Sequence, residues 1–262
     1  MPSLADRVLP LHVQMIAPIQ IEACVESVIS ACAAEYGSAH RVELCSDLLE
    51  GGLTPSAGMI EAVRAKISIP MHVMIRPRAG DFCYDEHELD VMRRDILTAK
   101  TLGAQGVVLG ILDPDGHIDI VRTRLLVELA RPLSVTFHRA FDLSRDFMRA
   151  LNDVCSTGAD RLLTSGGEQT CVQGAGTIAS LVQAAGNRIA IMAGSGIRAE
   201  NAANIVHQTG VREIHVGLST QYDSPMRYRN DRISMGKLHG REYLRSGLLE
   251  ESVRALVRAF QR

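Results

Sequence analysis

The sequence predicts a single (β/α)8 barrel, and three observations support that fold. Eight short apolar runs alternate with amphipathic stretches from Ile21 to the C-terminal residues. Most of those stretches repeat their apolar residues at a spacing near 3.6, as a helix with one buried face does. The runs themselves are almost continuously apolar, which fits parallel strands covered on both faces. Eight such units close into a cylinder, with a doubly wound open sheet as the alternative. The length of 262 residues suits one barrel. We divide the chain into an N-terminal extension, residues 1–20, and a barrel domain, residues 21–262.

The elements follow in order. "IQIEACV" is strand one and "ESVISACAAEYG" its helix. "RVELC" is strand two and leads through "SDLLEGGLTPS" to the helix "AGMIEAVRAKI". "IPMHVMIRPR" is strand three, followed by the long helix within "AGDFCYDEHELDVMRRDILTAKTLG". "QGVVLGIL" and "DPDGHIDIVRTRLLVELA" form the fourth unit, "LSVTFHRAF" and "DLSRDFMRALNDVCSTG" the fifth. "DRLLTSGG" precedes "TIASLVQAAG", and "RIAIMAGSGI" precedes "RAENAANIVHQTG". "REIHVGLS" is the last strand; a long loop separates it from the helix "EESVRALVRAF". Gly103, Gly158, Gly186 and Gly210 stand where helices end and fit as C-caps.

Composition narrows the function. A net charge of −2 and the absence of Trp argue against a nucleic-acid partner, which needs a basic field and stacking aromatics. No apolar run is long enough to cross a membrane, and the start lacks a secretory pattern, so a cytoplasmic setting is expected. Six scattered cysteines read as reduced thiols.

Active sites of this fold gather at the C-terminal ends of the strands. The stretch "VTFHRAFD" illustrates the pattern, since a strand fit for burial ends on His138, Arg139 and Asp142. His138 and Asp142, with Glu22 or Glu43 across the mouth, would make a general acid/base set. Arg76 and Arg78 lie two apart, hence on one face of a strand, and could hold one anion together. An ion-pair network with neighbouring carboxylates is the alternative. Gly194, Ser195 and Gly196 break strand seven ahead of a helix, a place where backbone N–H groups meet anions; the alternative is a tight turn alone. Glu-x-Cys occurs twice, as Glu22–Cys24 and Glu43–Cys45, on adjacent strands. Two facing thiolates suit Cu(I), a soft ion, although free Cys also packs as a small apolar residue.

Absences also inform. The three lysines, Lys66, Lys100 and Lys237, avoid the strand ends, which disfavours a Schiff-base aldolase. His-x-His on strand one and His-Glu-x-x-His are missing, which removes the common hydrolytic zinc layouts. No organic cofactor is indicated.

"RVELCSDLLEGGLTPSAG", "MIRPRAGDFCY", "GVVLGILDPDGHID", "PLSVTFHRAFD", "DRLLTSGG", "IMAGSGI" and "SPMRYRN" together resemble the CutC family of copper homeostasis proteins. The resemblance runs from about Ile21 to the last helix. It implies a TIM-barrel-like fold, a cytoplasmic setting and a homo-oligomer joined through barrel faces. It also implies copper binding, with Cys24 and Cys45 matching the cysteines proposed as Cu(I) ligands. The chain departs from the family pattern at strand eight, where His215-Val216-Gly217-Leu218 replaces His-x-Ser-Ala. Two functional readings follow: a Cu(I)-binding protein, or a barrel enzyme performing acid/base chemistry on a small anionic or phosphorylated metabolite.

Overall fold

A computed structural model describes residues 19–235 and 238–261. Eight parallel strands form a closed barrel in sequence order. They are β1 (Gln20–Val25), β2 (Arg41–Leu44), β3 (Met71–Met74), β4 (Gly106–Leu109), β5 (Ser134–Phe137), β6 (Arg161–Thr164), β7 (Ala190–Gly194) and β8 (Glu213–Val216). The helices outside them are α1 (Val28–Tyr36), α2 (Ala57–Arg64), α3 (Glu86–Thr101), α4 (Ile120–Ala130), α5 (Phe147–Thr157), α6 (Ala175–Ala185), α7 (Ala202–Thr209) and α8 (Glu250–Arg258). The open-sheet alternative is thereby excluded. β1 begins one residue before the boundary drawn from sequence, and most of the N-terminal extension lies outside the described residues.

Local chemistry explains the helix boundaries. Asp85 accepts the N–H of Glu88 at 2.8 Å while the Glu88 carboxylate accepts the N–H of Asp85 at 2.9 Å, a reciprocal cap that starts α3. Gly158 and Gly210 end α5 and α7 with φ of +83° and +73°, a conformation that costs a side-chain-bearing residue about 1–2 kcal/mol.

Between β8 and α8 the sequence predicts a long loop. The structure instead forms an antiparallel pair there, β9 (Ser219–Asp223) with β10 (Leu244–Leu248). β9 is exposed at every residue, so its sequence carries no apolar alternation to read. Leu248 N–H donates to Ser30 Oγ at 3.1 Å and fixes β10 to α1.

Strand alternation divides the interior. Ala23, Val42, Leu44, Val73, Val107, Val135 and Ile214 join the apolar cluster shared with the helices. The residues between them turn into the cylinder and are unusually polar, with Glu22, Arg41, Glu43, His72 and His138 all buried. Glycines of β4 and its end make room for this content. A Cβ on Gly106 would stand 2.4 Å from the His72 ring, and one on Gly110 would stand 2.6 Å from that of His138.

Candidate functional site

The polar interior has two levels. The deeper one is an ion-pair network: Arg41 bonds Glu22 and Glu213, each at 2.5 Å, and Arg161 bonds Glu213 from the other side at 2.5 Å. Glu22 also accepts from or faces His215 Nδ1 at 2.8 Å, with His72 Nδ1 at 3.8 Å. Burial opposes a charge on Glu22, yet His215 and Arg41 beside it hold its carboxyl far below the ordinary range. His72, buried with few partners, is pushed down to about 4 and is neutral near pH 7.

Above it lies the thiol cluster. Register makes Glu43 the cross-strand partner of Cys24, since β2 is staggered two residues along β1. Cys24 and Cys45 Sγ lie 3.3 and 3.4 Å from the same Glu43 Oε2 and 3.9 Å from each other. A disulfide requires about 2.05 Å, so both thiols are free. The two sulfurs do not titrate alike. The Cys45 thiol lies against Cys24 and, with His215 nearby, outweighs burial and lowers Cys24 to about 5; Cys45 is correspondingly pushed well up. Burial, with the negative Cys24 and Glu22 adding to it, raises Glu43 well above its usual value. Burial alone would lower His215, but Glu43, Cys24 and Glu22 around it raise it well above the ordinary range. Within this coupled set Cys24 is shifted toward the thiolate and His215 toward the imidazolium, while Cys45 and Glu43 are shifted toward holding their protons.

A cavity of about 380 Å³ opens over this cluster at the C-terminal end of the barrel. Cys24, Glu43 and His215 form part of its floor, while Arg76, His138 and Ser195 belong to its wall. Arg76 is 5% exposed and donates to the carbonyls of Glu50, Gly52 and Gly80 at 2.6, 3.0 and 2.9 Å. Its Nε has no partner. His138 Nδ1 accepts the Ala140 N–H at 3.2 Å, which leaves the proton on Nε2, and Nε2 too is unpartnered. Burial and the nearby Arg76 charge push His138 down to about 3, so it is a neutral donor. Glu43 Oε1 is the third orphan of the cavity lining.

The residues singled out in the sequence separate accordingly. Glu43, Cys24, Arg76, His138, Ser195 and Gly196 line one cavity. Cys45 is fully buried behind Cys24. Glu22 lies in the deeper network and does not line the cavity. Arg76 and Arg78 do not share an anion. β3 ends at Met74, so strand alternation no longer applies across Pro77, and Arg78 turns away to Glu88 and Asp81. Asp142 does not orient His138. It accepts from Arg139, Thr164, Ser165 and Gly167, tying the turn after β5 to the end of β6. Gly194 is glycine for packing, because a Cβ there would meet Leu163 Cδ1 at 2.6 Å. No helix end points at Ser195 and Gly196, since α7 begins only at Ala202. His215 was missed as a site residue. Its signal was present in "REIHVGLS", where Glu213 and His215 alternate as polar residues inside an otherwise apolar strand.

Comparison with known proteins bears on this arrangement. A profile of the CutC family matches residues 19–220. A family protein CutC of Chromobacterium violaceum is 44% identical over 242 residues, covering 92% of this chain and 98% of the relative. A human copper homeostasis protein cutC homolog is 46% identical, covering 82% of this chain and 79% of the relative. The crystal structure of a CutC protein from Streptococcus agalactiae superposes with a TM-score of 0.71 at 36% identity, covering 75% of this chain and 97% of that one.

Proposed function

The chain belongs to the CutC family, and from that premise we propose that it binds Cu(I) as cargo through Cys24 and Cys45. One observation carries the reading: two sulfurs 3.9 Å apart that share one oxygen of the Glu43 carboxylate, in an otherwise apolar setting. Thiolate is the donor that selects Cu(I) over harder ions. Glu43 adds an oxygen, since one donor atom from each of the three residues falls within 4.8 Å of the others. Met74 and Val108 pack against the thiols, and Cys24 is open only toward the cavity. The relatives named for copper homeostasis support the same reading. Cys24 lines the cavity and Cys45 does not, so the ion would reach Cys24 first and take up the second sulfur by displacing its proton. Among the described residues no helix is long and apolar enough to cross a membrane, which accords with a cytoplasmic setting.

Anaerobic titration with Cu(I) against a competing chelator tests the proposal. Cys24→Ser/Cys45→Ser should lose tight binding while retaining its far-UV circular dichroism. Equal affinity in the folded double variant would overturn the assignment.

A further inference from the structure

We propose that the wall of the same cavity is a binding site for a small phosphate-bearing anion, held by Arg76, His138 and the turn at Ser195–Gly196. The site does not depend on copper.

Arg76 carries a charge that nothing in the cavity wall balances. A buried cation is normally paired, because leaving water without a counter-ion costs several kcal/mol. Arg76 is 5% exposed, yet its guanidinium hydrogen-bonds only carbonyl oxygens. A guanidinium has five N–H donors. Three are used on the carbonyls of Glu50, Gly52 and Gly80, so two remain, one of them on Nε. The Phe82 ring lies 4.9 Å from the guanidinium carbon and also 4.9 Å from the His138 ring, so the three side chains form one continuous wall. His138 contributes a further N–H with nothing to receive it.

Across the mouth, the backbone repeats this imbalance. Ser195 and Gly196 have φ of +76° and +77°, and Ser195 holds that conformation despite its side chain. Its hydroxyl is committed to Gln169 O at 2.7 Å, so the strain does not serve to aim the hydroxyl into the cavity. The backbone N–H groups of Ser195, Gly196 and Gly217 donate to no acceptor among the described residues, and all three residues line the cavity. Arg198 also lines it; its guanidinium donates only to the carbonyls of Ile197 and Gly217.

Donors therefore outnumber acceptors in this cavity, where the one orphaned acceptor is Glu43 Oε1 in the floor, and two guanidinium groups lack carboxylate partners. An oxyanion with several acceptor oxygens satisfies both conditions at once. A phosphate, with near two negative charges and three or more acceptor oxygens, matches two unneutralised arginines better than a single carboxylate. Sequestering Cu(I) requires none of these groups.

Inorganic phosphate is the probe for the test, added to the full-length, copper-free protein. Phosphate at millimolar concentration should raise the melting temperature, while acetate at the same ionic strength should not. Arg76→Gln should weaken phosphate binding roughly 10- to 100-fold, and Arg78→Gln, outside the cavity, should leave it unchanged. Should Arg76→Gln fold poorly, Arg198→Gln, exposed on the rim, should still weaken binding. The ¹⁵N signal of His138 Nε2 should move on phosphate addition in the wild type. A phosphate effect no greater than that of acetate, or one indifferent to both Arg76→Gln and Arg198→Gln, would overturn the site. Cu(I) affinity, measured separately on these variants, distinguishes loss of the anion site from loss of the thiol site.

Discussion

The interior of the barrel holds two polar levels made from the same kinds of side chain and brought to opposite ends. At the deeper level Arg41 lies between Glu22 and Glu213, and Arg161 reaches Glu213 as well. At the upper level Arg76 meets only carbonyls, His138 Nε2 meets nothing, and Glu43 Oε1 meets nothing. Even the enabling glycines are matched, Gly106 making room for His72 below and Gly110 for His138 above. Burial is nearly equal at the two levels, so burial does not separate them. Pairing of the charged groups does. Below, each guanidinium meets a carboxylate and only the neutral His72 Nδ1 lacks a hydrogen bond, which ties the strands together; above, the Arg76 guanidinium meets no acid.

The largest effect should come from breaking the paired level. Arg41→Met leaves the buried carboxylates of Glu22 and Glu213 short of a cation and should cost about 3–5 kcal/mol in a urea unfolding titration. Arg76→Met removes a cation that lacked a counter-ion and leaves three carbonyls short of a donor but no buried charge unpaired, and should cost less than Arg41→Met. Equal losses would erase the distinction between the levels.

A smaller effect concerns pH. His138 has a folded-state value of about 3, below the 6.5 of an exposed imidazole. Between those values the unfolded chain binds the proton and the folded chain does not, so stability is lost as pH falls through this window. The stability of wild type relative to His138→Gln should drop by up to about 1.4 kcal/mol per pH unit from pH 6.5 downward. A difference that is flat across that range would mean the imidazole takes up its proton in the folded state, and hence has an acceptor nearby.

The smallest effect sharpens the comparison at its edge. Arg78 is paired with Glu88 and Asp81 while about a third exposed, and Arg78→Gln should change stability by no more than about 1 kcal/mol. A larger loss would make this pair part of the barrel's structural core.

Much of this was legible in the sequence. Apolar runs alternating with helical periods defined eight strands, and a polar residue inside such a run, as at Glu22 or Glu43, has to face the cylinder because its neighbours face the helices. The thiol pair was legible for the same reason. His72 and His215 gave the same signal within their strands and could have been read from it. The pairing of β9 with β10 was not legible, because an exposed hairpin needs no apolar alternation.

Local periodicity along the chain is enough to give the fold and the face on which each strand residue lies. Which inward residues meet depends on how the strands align in three dimensions. The stagger between neighbouring strands sets Cys24 opposite Glu43 rather than Cys45, places Arg41 among Glu22 and Glu213, and leaves Arg76 without an acid. That stagger belongs to the closing of the whole barrel. The chain rule that orders one strand therefore cannot state whether a charge will find its partner.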